Sequence, residues 1–297
     1  MLTEQISASS TFNPAWLDVQ YNNRARVPDF ADYFARWANA SVHAREAPKA
    51  VIDLAYGEGE KEKLDVFPAD ESRSASADAP VLVFIHGGWW RSLDKSDHSF
   101  VAPSFTAAGV CVVVPNYDWC PAVTIPEITL QMVKALAWTW RNIRQFGGDP
   151  NRITVAGHSA GGHLAAMMLA CDWPSHAHDL PPDLVKNALS ISGLNDLAPL
   201  AHTPAMKDVL RLTPADICKA SPALLPRPVH GHLYGVVGED ESEEFLRQNM
   251  LIQHAWGRAS VPVCEVLPGL NHFSIVQTLT EPGHRLNALA LQLLAKA

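Results

Sequence analysis

A serine flanked by glycines is the feature of this 297-residue chain that most directly suggests chemistry. Ser159 is the third residue of the pentapeptide GHSAG at residues 157–161, between an apolar run at 153–156 and a helix-like run at 162–170. Glycines on both sides let a serine adopt a strained turn from strand to helix with its hydroxyl exposed. Such a hydroxyl is placed as a nucleophile, and an ordinary helix N-cap is the alternative.

A histidine and a group of acids follow two later strand-like runs. His272 comes after the run at 263–267, and the acids come after the run at 232–237. Because open parallel sheets bind ligands at the carboxyl ends of their strands, we expect Ser159 and His272 to meet at one edge of a sheet. The chain order of serine, acid and histidine is that of a catalytic triad.

The acid of this triad has three candidates, Glu239, Asp240 and Glu241. It must lie just past the strand, near the start of the following helix. Glu241 is the third residue after Gly238 and suits this position best, and Asp240 is the second choice. Glu239 is expected to be solvated on the first helical turn, where negative charge favours the helix dipole.

Backbone donors for an oxyanion are expected at the end of an earlier strand. The sequence HGGWW at residues 86–90 follows the apolar run at 81–85. Glycines let the main chain approach a substrate closely, and their N–H groups need no reorganisation when negative charge develops. Gly87 and Gly88, together with the N–H of Ala160 after the nucleophile, are therefore the predicted oxyanion hole.

Aromatic and histidine side chains near these motifs have weaker predicted roles. Trp89 and Trp90 are predicted to bind substrate as an aromatic wall, with core or lid packing as the alternative. His158 and His163 are interpreted as packing residues, because no Asp or Cys is spaced with them as metal ligands would be. No metal and no cofactor is predicted. The proline- and alanine-rich segment at about 194–228 is predicted to form a small cap.

The elements that must position these residues alternate between strands and helices from residue 81 onward. Apolar strand-like runs separated by helical patterns predict an α/β fold, with a mostly parallel sheet of about eight strands covered on both faces. Short runs at 51–54 and 64–67 predict an antiparallel edge hairpin. Residues 1–50 are predicted to be a helical extension. The chain is near the upper size of one core, about 250–300 residues, and is interpreted as a single domain.

Charge and cysteine content limit the partners and the compartment. The net charge is −8 and the basic residues are scattered, which argues against nucleic-acid binding. Five cysteines without CxxC spacing indicate reduced thiols. No signal-peptide pattern and no 18-residue apolar run are visible, so a cytoplasmic protein without a membrane segment is expected. The oligomeric state is left open, with a homodimer as one alternative.

Together these motifs resemble the α/β-hydrolase family. The narrower resemblance is to its kynurenine formamidase (arylformamidase) branch and to the related hormone-sensitive-lipase-like esterases. It rests on HGGWW at 86–90, NYD at 116–118, GHSAG at 157–161 and ESEEFLRQ at 241–248. In that branch the acid precedes a Ser-x-Glu-Phe-x-Arg-Gln run, which also selects Glu241.

The resemblance implies a two-step acyl transfer on a small ester or amide, with Ser159 as nucleophile, His272 as base and Glu241 orienting the histidine. An N-formyl aryl amide is the implied substrate, with N-formylkynurenine as the natural candidate. A short-chain carboxylesterase is the alternative, and a non-catalytic binding protein on the same scaffold is a remote one. Trp89 stands where the branch often has tyrosine, and Asn195 stands where an aromatic residue is expected, so both change the expected pocket.

Overall fold

The computed structural model describes residues 13–70 and 78–297. Within these residues, eight strands form one sheet in the order β1-β2-β4-β3-β5-β6-β7-β8. The strands are β1 (Val51–Ala55), β2 (Lys63–Phe67), β3 (Ala79–Ile85), β4 (Cys111–Pro115), β5 (Gly148–His158), β6 (Val185–Ile191), β7 (Leu233–Gly238) and β8 (Val263–Leu267). The pairs β1–β2 and β2–β4 are antiparallel, and the remaining neighbours are parallel. The predicted mostly parallel sheet and its antiparallel edge are confirmed.

Helices connect the strands and precede the first of them. The α-helices of the described residues are α1 (Pro14–Tyr21), α2 (Asn23–Arg26), α3 (Phe30–Arg45), α4 (Ala102–Thr106), α5 (Ile125–Asn142), α6 (Ala160–Leu169), α7 (Pro204–Leu210), α8 (Pro214–Ala220), α9 (Glu243–Ser260), α10 (Ser274–Thr278) and α11 (Arg285–Ala295). The chain bends within α9 at Gly257, whose φ is 79°. The first twelve residues of the predicted N-terminal extension lie outside the described residues.

The central strand β3 shows why the sheet is covered on both faces. Val81 and Val83 belong to one apolar cluster, which includes side chains of α5 and α6. Leu82 and Phe84 belong to a second cluster, which includes side chains of α3, α10 and α11. All four side chains are fully buried, as expected for a parallel strand between two layers of helices. Strand ends are therefore the places where polar side chains of this sheet can gather.

Helix α3 reaches the carboxyl ends of the strands. Its Trp37 is buried, stacks on Phe100 with ring centroids 5.8 Å apart, and lies 6.2 Å from the ring of Phe273. The same indole lies edge-on to the ring of His158, at 6.5 Å. The packing of this helix thus extends to the carboxyl end of β5.

The segment at 194–228 consists of α7, α8 and short 3₁₀ turns. Helix α7 contacts α1, and α8 contacts α5, so the segment packs on both the N-terminal helices and the body of the fold. Among the described residues, no helix combines the length and the apolar character that crossing a membrane requires. The cysteines Cys111, Cys120, Cys171, Cys218 and Cys264 all carry free thiols.

Candidate active site

The turn between β5 and α6 presents Ser159 with a left-handed backbone, φ 57° and ψ −118°. A Cβ atom at Gly157 would lie 2.1 Å from the carbonyl oxygen of Gly161, and one at Gly161 would lie 1.9 Å from the carbonyl oxygen of Ile85. The first turn of α6 therefore touches the ends of β5 and β3, and only glycine can occupy either position. The Ser159 N–H is bound to the Ile191 carbonyl at 2.8 Å. This tight packing holds the strained turn in place.

Glu241 and His272 form a buried pair at the ends of β7 and β8. His272 Nδ1 lies 2.6 Å from Glu241 Oε2. The other carboxylate oxygen accepts hydrogen bonds from Ser192 Oγ at 2.5 Å and from the Gly238 N–H at 2.9 Å. Because a carboxylate only accepts, Nδ1 carries the imidazole proton and Nε2 of neutral His272 is left as an acceptor. The geometry suits His272 to act as a base.

The neighbouring acids lie elsewhere. Asp240 and Glu239 are exposed, and Glu239 Oε2 accepts a hydrogen bond from the Gly269 N–H at 3.3 Å. Of the three candidate acids, Glu241 is the one that meets His272, as its spacing and its following sequence predict. Ser192 was not predicted. It follows β6 directly and has a φ of 50°, which is uncommon for serine and marks a constrained position.

The histidines beside the nucleophile anchor the surrounding loops. His158 Nε2 donates to the carbonyl of His272 at 2.8 Å, and His163 Nε2 donates to the carbonyl of Ala220 at 2.6 Å. Burial holds the pKa of His158 well below its usual value, with the nearby charges of His272 and His98 adding to the effect. Burial also lowers the pKa of His163 to about 4. Both imidazoles are neutral at pH 7 and act in packing, as predicted.

The HGGWW loop is held from behind by Tyr117. The Tyr117 hydroxyl lies 2.9 Å from the carbonyl oxygen of His86 and 3.1 Å from that of Gly87. The His86 ring stacks on Tyr117 at 4.3 Å, and its Nε2 lies 2.9 Å from Asn116 Oδ1. In a trans peptide the N–H points opposite to the preceding C=O. The N–H groups of Gly87 and Gly88 are therefore directed away from Tyr117.

The same loop lies directly against the nucleophile. A Cβ atom at Gly87 would lie 3.1 Å from Cβ of Ser159 and 2.9 Å from the carbonyl oxygen of His158. Gly88 has a φ of 111°, which a residue with a side chain rarely adopts. Ala160 is the first residue of α6, so its N–H has no partner within that helix. The structure brings all three predicted donors to the region of Ser159.

Two neighbouring cavities lie at this edge of the sheet. The inner one, here called the catalytic cavity, has a volume of about 40 Å³ and is lined by Ser159, His272 and Gly88. The outer one, here called the vestibule, has a volume of about 370 Å³. Four residues line both cavities: Asn23, Arg24, Trp89 and Ser92. A molecule that occupies both therefore passes these side chains.

The two predicted wall tryptophans occupy different environments. Trp89 lines both cavities and lies edge-on to Tyr21 at 5.7 Å. Trp90 is fully buried, lies edge-on to His163 at 5.1 Å, and is not among the residues that line either cavity. The prediction of Trp90 as a wall residue is therefore corrected: it is a core residue beneath the loop. Both residues have positive φ values, 56° and 54°, and their rings lie edge-on at 6.3 Å.

Residues of the N-terminal helices in the site were not predicted. Asn23, Phe34 and Trp37 all line the catalytic cavity. Asn195, expected in the pocket, is buried instead against α9, where its N–H donates to Gln248 Oε1 at 2.7 Å. In residues 13–70 and 78–297 there is no group of three or more His, Cys, Asp or Glu side chains able to hold a metal ion.

Comparisons with known proteins agree with this arrangement. A family model described as BD-FAE matches residues 64–190. The kynurenine formamidase of Danio rerio is 30% identical over 265 residues, 87% of each chain, and that of Salmo salar is 29% identical over 286 residues, 94% of each chain. The crystal structure of a putative thioesterase from Silicibacter sp. TM1040 is 32% identical, with a TM-score of 0.78 over 92% of this chain and 97% of that one. The chain is therefore a hydrolase of the α/β-hydrolase superfamily and belongs to the branch that contains the kynurenine formamidases.

Proposed function

We propose that this protein is a serine hydrolase that removes a formyl group from an aryl amide, with N-formylkynurenine as the substrate. The relatives named kynurenine formamidase support this activity. The observation that carries the proposal is the size of the catalytic cavity beside Ser159, about 40 Å³. We propose that this small cavity receives the formyl group and that the larger vestibule receives the rest of the substrate.

In the first step, His272 Nε2 takes the proton of the Ser159 hydroxyl while Oγ attacks the formyl carbon. Glu241 holds the imidazole in the required tautomer and stabilises the imidazolium that forms. The carbonyl oxygen becomes an oxyanion and accepts hydrogen bonds from the N–H groups of Gly87, Gly88 and Ala160. Loss of one such donor typically costs about 3 kcal/mol of transition-state stabilisation.

The tetrahedral intermediate then collapses. The C–N bond breaks, and the imidazolium of His272 gives its proton to the departing aryl nitrogen, which leaves as a neutral arylamine. The formyl group remains on Ser159 as an ester. Water, deprotonated by His272, attacks this ester, and formate leaves as the serine regains its proton. Each proton taken by His272 is returned within the same half-reaction.

The leaving group occupies the vestibule in this proposal. Trp89 lines the passage and provides an aromatic wall for the aryl ring. Thr203, Ala205 and Met206, from the segment at 194–228, line the vestibule and support the proposal that this segment is a cap. We propose that this segment, residues 13–50 and the sheet form one domain.

We also propose that the protein acts in the cytoplasm on a small molecule, with no nucleic-acid partner. The net charge of −8 and the five free thiols support this setting. A monomer and a homodimer remain alternative assemblies.

A short-chain carboxylesterase is the second candidate, favoured by the similarity to esterase LipQ of Mycobacterium tuberculosis, 35% identical over 127 residues. Esters and amides share the same tetrahedral intermediate, so the triad alone does not separate the two activities. The test compares kcat/KM for N-formylkynurenine with values for phenyl formate, acetate and butyrate. We expect turnover of the formamide and a steep decline from formate to butyrate. Negligible formamide turnover beside rapid acetate or butyrate turnover would establish the esterase.

The nucleophile is tested by Ser159→Ala, with Ser175→Ala at an exposed position as the control. We expect Ser159→Ala to lower kcat/KM for every substrate by at least about 1,000-fold, because the acyl-enzyme can no longer form. A fluorophosphonate should label the wild-type protein and the Ser175→Ala protein but not the Ser159→Ala protein. A folded wild-type protein that is neither labelled nor active would favour the binding-protein alternative.

A further inference from the structure

The vestibule carries charges that the acyl transfer does not use. Arg24, Arg91 and Asp18 all line it. Arg91 Nη1 donates to the carbonyl of Ala205 at 3.2 Å, and Asp18 Oδ1 accepts from the N–H of Ala205 at 3.0 Å. Side chains of opposite charge are thus held within one short stretch of the wall. A cavity that only received an aryl ring would not need them.

Arg24 and Arg91 line the same cavity, and the charge of Arg24 acts on Arg91. Burial is the main reason that the pKa of Arg91 is lowered, and the charge of Arg24 lowers it further. An anion bound between two guanidinium groups relieves such repulsion, and a carboxylate matches the guanidinium fork with paired hydrogen bonds. The cationic side of the vestibule is therefore suited to a carboxylate.

A buried amide without a partner lies at the passage between the cavities. Asn23 is 4% exposed and lines both the catalytic cavity and the vestibule. Within the described residues, neither its Oδ1 nor its Nδ2 has a hydrogen-bond partner. Buried polar side chains nearly always have partners. A bound molecule that reaches from one cavity into the other can supply the missing ones.

We propose that the vestibule binds the zwitterionic amino-acid end of the substrate. Arg24 and Arg91 bind its carboxylate, Asp18 binds its ammonium group, and Asn23 hydrogen-bonds the part that passes between the cavities. This inference rests on the proposed function, because it requires the reacting formyl group to lie at Ser159. N-formylkynurenine has this layout: a formamide on an aryl ring, a ketone, and an α-amino acid at the far end.

The test measures binding by calorimetry in the Ser159→Ala protein, which holds substrates without consuming them. The two ligands are N-formylkynurenine and 2-formamidoacetophenone, which has the same formamide and aryl ketone but no amino acid. We expect N-formylkynurenine to bind at least about 10-fold more tightly, in keeping with a charge-assisted contact. Adding Arg91→Gln should reduce this preference to less than about threefold. Adding Arg227→Gln, at an exposed position, should leave it unchanged.

The preference is a ratio measured on one protein, so partial misfolding of a variant does not alter it. Arg91→Lys provides a second variant that keeps the charge and should keep part of the preference. Asn23→Ala should lower the binding affinity for both ligands, since both carry the groups that pass between the cavities. Equal affinity for the two ligands, or a preference that survives Arg91→Gln, would overturn the inference.

Wild-type turnover separates this inference from the proposed function. If N-formylkynurenine is preferred in binding but the wild-type protein cleaves only aryl esters, the formamidase proposal fails and the vestibule inference stands. If both formamides are cleaved with equal kcat/KM and bound equally, the formamidase proposal stands and the vestibule inference is overturned.

Discussion

The catalytic cavity and the vestibule are built in different ways. Around the catalytic cavity, polar groups are already paired within the protein: Glu241 accepts hydrogen bonds from Ser192 and Gly238 and lies against His272. At the passage between the catalytic cavity and the vestibule, the amide of Asn23 has no partner among the described residues. The triad acid is thus fixed in advance, whereas the amide at the passage is left available for a ligand.

This difference separates bond breaking from recognition. A group that must stabilise a developing charge is effective when it needs no reorganisation, which requires partners that hold it before substrate arrives. A group that recognises a substrate gains from being unpaired until binding. Changes at the inner cavity should therefore affect all substrates alike, and changes at the vestibule should affect them selectively.

The largest expected effect is that of Glu241→Gln. The amide must place its NH₂ group either against the His272 Nδ1 proton or against the Ser192 and Gly238 donors, so the imidazole loses its orientation. We expect kcat to fall by about 10,000-fold for all substrates, as when a triad acid is replaced by its amide. The control is Glu243→Gln. Glu243 is exposed on the first turn of α9, so this variant should retain activity. A loss of less than about 10-fold would show that Glu241 is not the orienting acid.

A smaller effect is expected from Tyr117→Phe. This change removes the hydroxyl that lies against the carbonyls of His86 and Gly87. The single hydroxyl proton is shared between the two carbonyls, and a hydrogen bond of about 1 kcal/mol corresponds to a loss of about fivefold in kcat, with KM less affected. Steady-state kinetics on formamide and ester substrates should show similar losses. The control is Tyr234→Phe, a buried tyrosine that pairs with Lys296. A loss confined to one substrate class would contradict the proposed role of the loop.

The smallest expected effect concerns acid stability of the inner region. The pKa of His163 in the folded protein is about 4, below the usual 6.5. Between these values the unfolded chain binds a proton that the folded protein excludes, so the free energy of unfolding falls as pH falls. The slope of the free energy of unfolding against pH should be smaller in the His163→Gln protein by about 1.4 kcal/mol per pH unit. Urea unfolding at several pH values measures this slope.

An identical slope in wild-type and His163→Gln proteins would mean that the imidazole is not kept neutral by burial.

The inner region was predictable because its residues follow strands and are marked by glycine. Ser159, Glu241 and His272 each lie at the carboxyl end of a parallel strand, and topology brings such ends together. Gly87 and Gly88 are recognisable because only glycine permits the close approach of that loop to the serine. These are constraints of the backbone, and backbone constraints leave a pattern in the sequence.

The vestibule left no such pattern. Asn23 in α2 and Arg91 in the loop after β3 both line the vestibule, and neither residue type is unusual at a surface. Trp89 and Trp90 are adjacent and chemically identical, so residue type does not indicate which one lines the cavities. Ser192 carried a weak signal, a serine before glycine at a strand end, that did not indicate a contact with Glu241.

The N-terminal helices are joined to the rest of the fold through Tyr21, whose hydroxyl donates to Glu244 Oε2 at 2.6 Å on α9. Helix α9 begins two residues after the triad acid. Exchanging the α1–α2 segment between members of this superfamily could thus redirect which leaving groups are accepted while the cleavage machinery is inherited intact. Leaving-group selectivity would then evolve by replacement of this segment, provided that Tyr21 is kept.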